Sequence, residues 1–428
     1  MKLDADVLVA GGGPAGTTTA IRLARSGRRV ILAEKDRHPR FHIGESLLPM
    51  SMPLLEEIGV LDEVRKIGVR KEGADFPAAE AIGYRVFSFD RSLHATPQYA
   101  YHVRRAEFDN LLLESARAEG VMVLDETRIG NVTFHRDGVS ADGIAANGSE
   151  WPLTARYFVD ATGRDTLLSN QLRLKRRNRR HQSAALYAHF AGILRRPGAD
   201  AGNISIYRTG DGWVWVIPLP EDITSIGLVC GPNSLRGRSG DNASFLMRQL
   251  NLIPELQARL KNPRIVGNLE ATGNYSYDSA TLAGDRWVMV GDAGLFVDPI
   301  FSSGVHFALQ GAKAAAALVD GVLRDPLSAH GMRRRYEKTI RAAAERVSWF
   351  IVRFNTPVMR HLFANPRNLL RIEEALISML AGDMYRDEGI AWRLAAFKGI
   401  YYLHCIARPG DALRGLRDVR RRRIETYA

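Results

Sequence analysis

The first third of the chain alternates between short apolar runs and stretches that favour helix. Residues 6–10 and 29–33 each contain four consecutive apolar residues, a buried-strand pattern, and residues 17–26 between them favour a helix. A strand, a helix and a second strand in this order predict a parallel βαβ unit. A helix over 105–120, leading into a strand over 121–124, continues the same pattern.

The pattern of apolar and polar residues changes between residues 165 and 275. Short alternating segments, such as 184–190 and 224–229, predict strands of an antiparallel sheet. A buried-strand pattern returns at 287–290, and a long Ala-rich helix is expected from 304 to about 323. Beyond residue 330 the pattern is almost wholly helical.

We therefore predict an α/β fold with three parts, because 428 residues are too many for one ordinary core. A Rossmann-like nucleotide-binding domain is expected from the discontinuous segments 1–165 and 276–330. An antiparallel-sheet substrate lobe is expected from 166–275, and a helical C-terminal cap from 331–428.

Basic residues outnumber acidic ones, 59 to 47, which gives a formal net charge of +12. Much of the excess lies at 173–180, 333–335 and 420–423. These runs contain few aromatic residues and match no nucleic-acid module, so we expect no nucleic-acid binding. Solvated protein faces and docking of an acidic protein partner by charge complementarity are both compatible with the pattern.

The cysteines and the N-terminus bear on the cellular setting. Cys230 and Cys405 lie far apart, which favours neither a disulfide scaffold nor a metal site. Their small number is typical of a reduced compartment, and we expect a cytoplasmic protein. The N-terminus passes directly into a strand pattern and lacks the apolar run of a secretory signal. No apolar run reaches about eighteen residues, so no transmembrane segment is expected.

Gly11, Gly13 and Gly16 form a Gly-x-Gly-x-x-Gly motif between the first strand and the first helix. The first glycine permits a tight turn, the second lets a pyrophosphate approach the backbone, and the third allows close contact of helix and strand. Unpaired N–H groups at the helix start would face the phosphates. Glu34 ends the second strand, at the spacing of a carboxylate that binds a ribose hydroxyl. Together these residues predict a bound dinucleotide.

Three further motifs favour FAD over NAD as this dinucleotide. Gly-Asp-Ala at 291–293 precedes the long helix, Asp-Ala-Thr-Gly at 160–163 ends a strand, and 103–109 carries V-x-R-x-x-F-D. All three resemble the para-hydroxybenzoate hydroxylase-like FAD superfamily. The resemblance implies that Asp292 holds the ribityl chain of FAD and that Arg105 contacts the cofactor.

Four more segments resemble flavin-dependent halogenases within that superfamily. They are W-x-W-x-I-P at 213–218, F-x-x-P-x-x-S-x-G at 296–304, K-x-G-A-x-F at 71–76 and G-E-S at 44–46. Taken singly, a tryptophan pair in a core, a helix capped by a serine and an exposed lysine would explain the first three. Their joint occurrence favours the halogenase interpretation. The FAD-binding residues implied by the two resemblances are Gly11, Gly13, Ala15, Gly16, Glu34, Lys35, Ser46, Arg105, Asp292, Pro299 and Gly304.

The resemblance implies a reaction of reduced FAD, oxygen and chloride or bromide that yields hypohalous acid, with a separate flavin reductase supplying the reduced FAD. The N–H groups of Ser303 and Gly304 would hold the halide, at a helix start that favours anions. The oxidant would travel along a passage walled by Trp213 and Trp215. Lys71 would either capture it as a haloamine or orient it by hydrogen bonding. The implied catalytic residues are Lys71, Trp213, Trp215 and Ser302, and no metal is expected.

Phe301 bears on the choice of substrate. Tryptophan halogenases carry a glutamate immediately before the serine of the halide motif, where this chain has Phe301. Segment 298–304 instead resembles halogenases of phenols and pyrroles, many of which act on rings tethered to an acidic acyl or peptidyl carrier protein. We therefore expect a small electron-rich aromatic substrate, with a carrier protein as a candidate partner. The alternatives are an FAD-dependent aromatic monooxygenase that uses NAD(P)H, a lipid-chain reductase and a non-catalytic flavoprotein-like binding module.

Overall fold

The structure is a computed structural model. It describes residues 3–77, 83–94, 97–177, 183–210, 212–273, 276–364, 368–386 and 389–415. Two parts of the predicted basic runs, Arg179–Arg180 and 420–423, lie outside these residues.

Twenty strands and thirteen α-helices lie within the described residues. The strands are β1 (Ala5–Ala10), β2 (Val30–Ala33), β3 (Gly68–Lys71), β4 (Gly73–Pro77), β5 (Tyr84–Ser88), β6 (Ala100–Val103), β7 (Met122–Leu124), β8 (Thr127–Phe134), β9 (Val139–Ala145), β10 (Glu150–Asp160), β11 (Lys175–Arg177), β12 (Ala184–Ile193), β13 (Ile204–Arg208), β14 (Trp213–Pro218), β15 (Thr224–Cys230), β16 (Leu260–Gly273), β17 (Tyr277–Ser279), β18 (Ala283–Gly284), β19 (Trp287–Met289) and β20 (Leu295–Phe296). The helices are α1 (Pro14–Arg25), α2 (Met52–Glu57), α3 (Leu61–Ile67), α4 (Arg105–Ala118), α5 (Leu167–Gln171), α6 (Pro232–Arg236), α7 (Asn242–Asn251), α8 (Pro254–Gln257), α9 (Gly304–Arg324), α10 (Ala329–Arg353), α11 (Pro357–Ala364), α12 (Ile372–Leu380) and α13 (Ile390–Ala407).

The N-terminal βαβ unit lies at the centre of an eight-stranded sheet. Its main path runs β18-β19-β10-β1-β2-β7, and the five strands from β19 to β7 are parallel. Parallel sheets are covered on both faces, which explains the continuous apolar runs of β1 and β2. Val7 and Val9 of β1 pack with α1, α4 and α9, whereas Leu8 and Ala10 pack with β8, β9 and α5.

A seven-stranded sheet forms the second lobe, in the order β16-β12-β15-β14-β13-β4-β5. Its neighbouring strands are antiparallel except for β13 and β4, which are parallel. The antiparallel strands predicted at 184–190 and 224–229 are present as β12 and β15. Strands β4 and β5 also belong to this sheet, although they come from the predicted segment 1–165. Residues of α7 and α8 pack on one face of the sheet, and residues of α10 to α13 on the other.

The helical region after residue 330 is present as predicted, in α10 to α13. The long helix predicted from 304 to about 323 is α9, which packs between α1 and α10. Phe350, Phe354 and Tyr401 are buried in the cluster that also contains the tryptophans of β14. The predicted fold class is therefore confirmed: an α/β protein with a Rossmann-like sheet, an antiparallel lobe and a helical C-terminal region.

Candidate functional site

The glycine turn after β1 brings three backbone segments unusually close together. Gly11 has φ +105°, and a Cβ atom there would lie 2.3 Å from the carbonyl oxygen of Ala161. A Cβ atom on Gly16 would lie 1.8 Å from the carbonyl oxygen of Gly11. Both positions therefore require glycine. Gly13 is the N-cap of α1 and has no side chain that could cap the helix. The N–H groups of the first turn therefore remain available to an anion.

Two carboxylates at the ends of parallel strands lie beside this turn. Glu34 follows β2, is 3% exposed and accepts hydrogen bonds from the N–H groups of Gly12 and Asp36. Asp292 follows β19, and burial raises the pKa of its carboxyl to about 7. Because strands in a parallel sheet place such ends at one edge, both carboxylates lie along the same edge.

Arg105 is held rigidly at the start of α4. Its Nε and Nη2 atoms donate to the two carboxylate oxygens of Asp109 at 2.7 and 2.9 Å. Its Nη1 atom donates to the carbonyl oxygen of Ile43 at 2.7 Å. A Cβ atom on Gly44, which has φ +105°, would lie 2.8 Å from that Nη1 atom. The G-E-S turn and the V-x-R-x-x-F-D helix start are thus brought into direct contact.

One cavity of about 740 Å³ joins these features. It extends from the glycine turn, past Asp292, to the tryptophan strand of the second lobe. Twelve of the residues predicted from the sequence line it: Gly11, Gly13, Ala15, Glu34, Lys35, Ser46, Arg105, Trp213, Trp215, Asp292, Ser302 and Gly304. Gly16, Lys71 and Ser303 do not line it. Pro299 begins a single helical turn, Pro299–Phe301, directly before Ser302.

The cavity fits FAD. An uncapped helix start can bind a pyrophosphate, and the close contacts at Gly11 and Gly16 leave the backbone bare where that group would approach. Glu34 and Asp292 both line the cavity, where their oxygens could accept hydrogen bonds from sugar hydroxyls. Lys35 is paired with Asp165 at the rim.

The turn that precedes α9 has the character of an anion site. Ser302 has φ +55°, a left-handed conformation that is uncommon for a residue other than glycine. Ser303 is the N-cap and is 2% exposed, yet its side chain makes no capping hydrogen bond. The expectation of an ordinary serine cap is therefore not met at Ser303, and N–H groups at the start of α9 remain available beside the cavity-lining Gly304.

Trp213 and Trp215 form one aromatic wall of the cavity. Their ring centroids are 5.6 Å apart, and the residues are 4% and 6% exposed. The Trp215 indole lies over Gly227 of β15, where a Cβ atom would be 2.0 Å from the ring. Its Nε1–H donates to the Ser225 hydroxyl at 3.2 Å. The pair is part of a core, as the simpler explanation held, and it also faces the cavity.

Lys71, the last residue of β3, is a fully buried lysine. It is 1% exposed, so the expectation that it is an ordinary exposed lysine is wrong. Its Nζ atom donates to the Ser46 hydroxyl at 2.8 Å and lies 5.5 Å from the centre of the Phe89 ring. Burial lowers the pKa of the amine to about 7. Since Ser46 lines the cavity, Lys71 is linked to the cavity through this hydroxyl.

Comparisons with known proteins agree with this geometry. A family model described as FAD binding domain matches residues 4–350. The flavin-dependent halogenase gsfI of Penicillium aethiopicum is 34% identical over 363 residues, which cover 78% of this chain and 68% of the relative. The chain belongs to the flavin-dependent halogenase family. This halogenase is therefore an FAD-dependent oxidoreductase.

A second relative of the halogenase is a 1H-pyrrole-2-carbonyl peptidyl-carrier-protein chlorinase of Pseudomonas fluorescens. It is 29% identical over 408 residues, which cover 89% of this chain and 90% of the relative.

Solved structures show the same architecture. A flavoprotein/dehydrogenase from Cytophaga hutchinsonii has a TM-score of 0.87 and 25% identity, and the match covers 94% of this chain and 99% of that one. The myxobacterial chondrochloren halogenase CndH has a TM-score of 0.77 and 29% identity, with 91% and 95% of the two chains covered. Among the described residues of the halogenase, no helix combines the length and apolar character needed to cross a bilayer.

Sequence reasoning missed Tyr187 of the halogenase cavity and His189, the partner of Glu45. Tyr187 of β12 lies with its ring centroid 6.0 Å from that of Trp215 and continues the aromatic wall. Glu45, buried in the G-E-S turn, is bonded to His189 at 2.6 Å. The alternation of β12 gave the only signal for Tyr187 and His189, since every second side chain of that strand shares one face. Nothing local distinguished these residues from ordinary strand positions.

Proposed function

We propose that this halogenase adds chlorine or bromine to a phenol or pyrrole ring by way of hypohalous acid. The observation that carries the proposal is the placement of Lys71, a buried amine that donates to a cavity-lining hydroxyl. Within the described part of the chain no carboxylate pairs with this amine. A core lysine in such surroundings is costly to keep, which supports a chemical role for its amine rather than a structural one.

Different residues of the cavity have different roles in this proposal. Reduced FAD, supplied by a separate flavin reductase in the cytoplasm, would provide the electrons for oxygen and halide to form hypohalous acid. The N–H groups of Ser303 and Gly304 hold the halide at the positive end of α9. Trp213 and Trp215 wall the route of the oxidant and keep the organic ring away from the flavin. Ser302 shapes the turn through its left-handed backbone.

The lowered pKa of Lys71 gives its amine two usable forms. At pH 7 a group with a pKa of about 7 is close to half neutral and half protonated. The neutral amine can attack the halogen of hypohalous acid, forming an N–halogen bond and releasing water. The ammonium form can donate a hydrogen bond and orient the acid. Ser46, which accepts from the amine at 2.8 Å, holds it in place in both cases.

The substrate class rests on Phe301. Its ring is 5% exposed and packs edge-on against the ring of Phe354, so no carboxylate lies at the position before Ser302. Phenols and pyrroles are electron-rich enough to react with less help from a base. Carrier tethering is supported by the relative named for a peptidyl-carrier-protein substrate. The exposed Arg334 and Arg335 of α10 would suit an acidic carrier.

Mass spectrometry of a reconstituted reaction tests the proposal. The purified protein is combined with FAD, a flavin reductase, NADH, oxygen and bromide. The substrates are phenols and pyrroles, each free and as a carrier thioester. Lys71→Ala is assayed in parallel, with Lys66→Ala as the matched control because Lys66 is exposed and paired with Glu63.

We expect a bromine isotope doublet from the wild type and from Lys66→Ala, and its loss in Lys71→Ala. A gain of one oxygen that depends on neither bromide nor Lys71 would instead identify an aromatic monooxygenase. A product formed only from the thioesters would establish the carrier protein as a partner.

A further inference from the structure

Arg208 lies beside the tryptophan wall. It is the last residue of β13 and is paired directly with Trp213, the first residue of β14. Directly paired residues of antiparallel strands project from the same face of a sheet. Arg208 therefore shares its face with Trp213, whose indole lines the cavity. This is the face that is covered by α10 to α13.

The guanidinium of Arg208 is enclosed by aromatic rings, and no carboxylate of the described residues pairs with it. Its carbon lies 4.3 Å from the centre of the Phe354 ring and 5.9 Å from that of Phe363. Its Nε and Nη2 atoms are buried and have no hydrogen-bond partner within the described ranges. Stacking on an aromatic ring offsets part of the cost of burying a cation, but it leaves the Nε and Nη2 groups unpaired.

A second cation, Arg360, lies near Arg208. Burial, together with the nearby Arg360 of α11, lowers the pKa of Arg208 to about 9. The charge of Arg360 thus adds to the positive potential at Arg208. An anion that reached this place would gain both the potential and the unpaired N–H groups of Arg208.

The position is close to the halide turn. The ring of Phe354 contacts the Arg208 guanidinium on one side and the ring of Phe301 on another, with centroids of the two rings 5.9 Å apart. Phe301 directly precedes Ser302, which lines the cavity. The rings of Phe354 and Phe301 thus connect the guanidinium to the turn at which the halide would be held.

We propose that Arg208 binds the carboxylate of a free aromatic acid and so positions its ring beside Trp213. The Nε and Nη2 atoms lie on one edge of the guanidinium, and such an edge matches the two oxygens of a carboxylate. The inference rests on the proposed halogenase substrate class and narrows it to phenolic or pyrrolic acids. A carrier thioester lacks the carboxylate, so Arg208 would not bind a tethered substrate, and a product formed only from the thioesters would overturn this subsite.

Binding measurements on the FAD-loaded protein test this subsite without any turnover. Isothermal titration compares pyrrole-2-carboxylate with pyrrole-2-carboxamide, and 4-hydroxybenzoate with 4-hydroxybenzamide. The proteins are the wild type, Arg208→Gln, Arg208→Lys and Arg264→Gln. Arg264 is an exposed arginine of β16, at the far edge of the same sheet, and serves as the matched control.

We expect the wild type and Arg264→Gln to bind at least one acid about tenfold or more tightly than its amide. Arg208→Gln should remove this preference, and Arg208→Lys should restore part of it. Equal binding of acid and amide by the wild type, or no binding of either acid, overturns the inference without relying on any variant. Tighter binding of phenyl phosphate than of both acids would assign the subsite to a phosphate ester and overturn the carboxylate.

A bromination assay distinguishes failure of this inference from failure of the proposed function. Bromination of neutral phenols by a wild type that shows no acid preference removes the subsite and leaves the halogenase reaction standing. Acid binding that depends on Arg208, in a protein that brominates nothing, retains the subsite and removes the proposed substrate chemistry.

Discussion

Replacing Lys71 with methionine should change how the stability of the protein depends on pH. Methionine has a similar length and no charge, so it fills the same space beside Phe89. Burial lowers the pKa of Lys71 from 10.5 to about 7. Each pKa unit corresponds to about 1.4 kcal/mol. The folded state therefore disfavours the ammonium form by at most about 5 kcal/mol.

The sign follows from the direction of the shift. The pKa in the folded state lies below its value in the unfolded chain, so the unfolded chain binds more protons between about pH 7 and 10.5. The free energy of unfolding of the wild type therefore rises with pH in that window. Below about pH 7 both states carry the ammonium, and the whole cost of burying it is present. Lys71→Met lacks this proton, so its advantage should be greatest near pH 6 and about 2–3 kcal/mol smaller near pH 9.

Urea unfolding of the FAD-loaded proteins measures this difference. Wild type and Lys71→Met are compared near pH 6, 7.5 and 9 at one FAD concentration, because bound ligand adds to stability. Lys66→Met is the control, since its side chain is 66% exposed and should show no such trend. A difference between Lys71→Met and wild type that is the same at all three pH values would refute the buried-ammonium argument.

Two glycine substitutions give further predictions. Gly16→Ala should weaken the affinity for FAD by at least about tenfold, because the added Cβ atom would lie 1.8 Å from the Gly11 carbonyl oxygen. Fluorescence titration with FAD measures this affinity. Gly399→Ala, where a Cβ meets nothing within 4 Å, is the control, and unchanged FAD affinity in Gly16→Ala would contradict the reasoning. Gly227→Ala should displace the Trp215 indole, because the added Cβ atom would lie 2.0 Å from its ring, and should lower the bromination rate while leaving FAD affinity intact. Wild-type bromination by Gly227→Ala would show that the position of the indole does not matter.

The parts of the fold that sequence predicted best are those encoded within one short segment. Gly11 and Gly16 follow a buried strand and open a helix, and both local backbone and neighbouring carbonyls demand glycine there. The strand and helix patterns around Asp292 likewise lie within one stretch of chain. Local signals of this kind do not depend on distant partners, so the sequence alone predicts them well.

The burial of Lys71 could not be predicted in this way. It is buried because Ser46 and Phe89, which lie before and after it in the chain, close around its side chain. The pairing of β4 with β13 is similarly remote, since Ala74 lies opposite Ile204. Arg208 of β13 is likewise covered by remote residues, Phe354 and Phe363. Each of these outcomes is decided by contacts between distant segments, which residue patterns along the chain do not record.

The order of strands in the first sheet has a consequence for how the protein is made. The unit β1-α1-β2 leaves the ribosome before β19 and α9, which extend its sheet and cover α1. Chains grow at about 5–20 residues per second. The apolar face of α1 is therefore synthesised on the order of tens of seconds before α9, which covers it. During that time Ala20, Ile21 and Leu23 have no α9 to pack against. Yield in a foreign host should therefore depend on chaperone supply and on slow synthesis at low temperature.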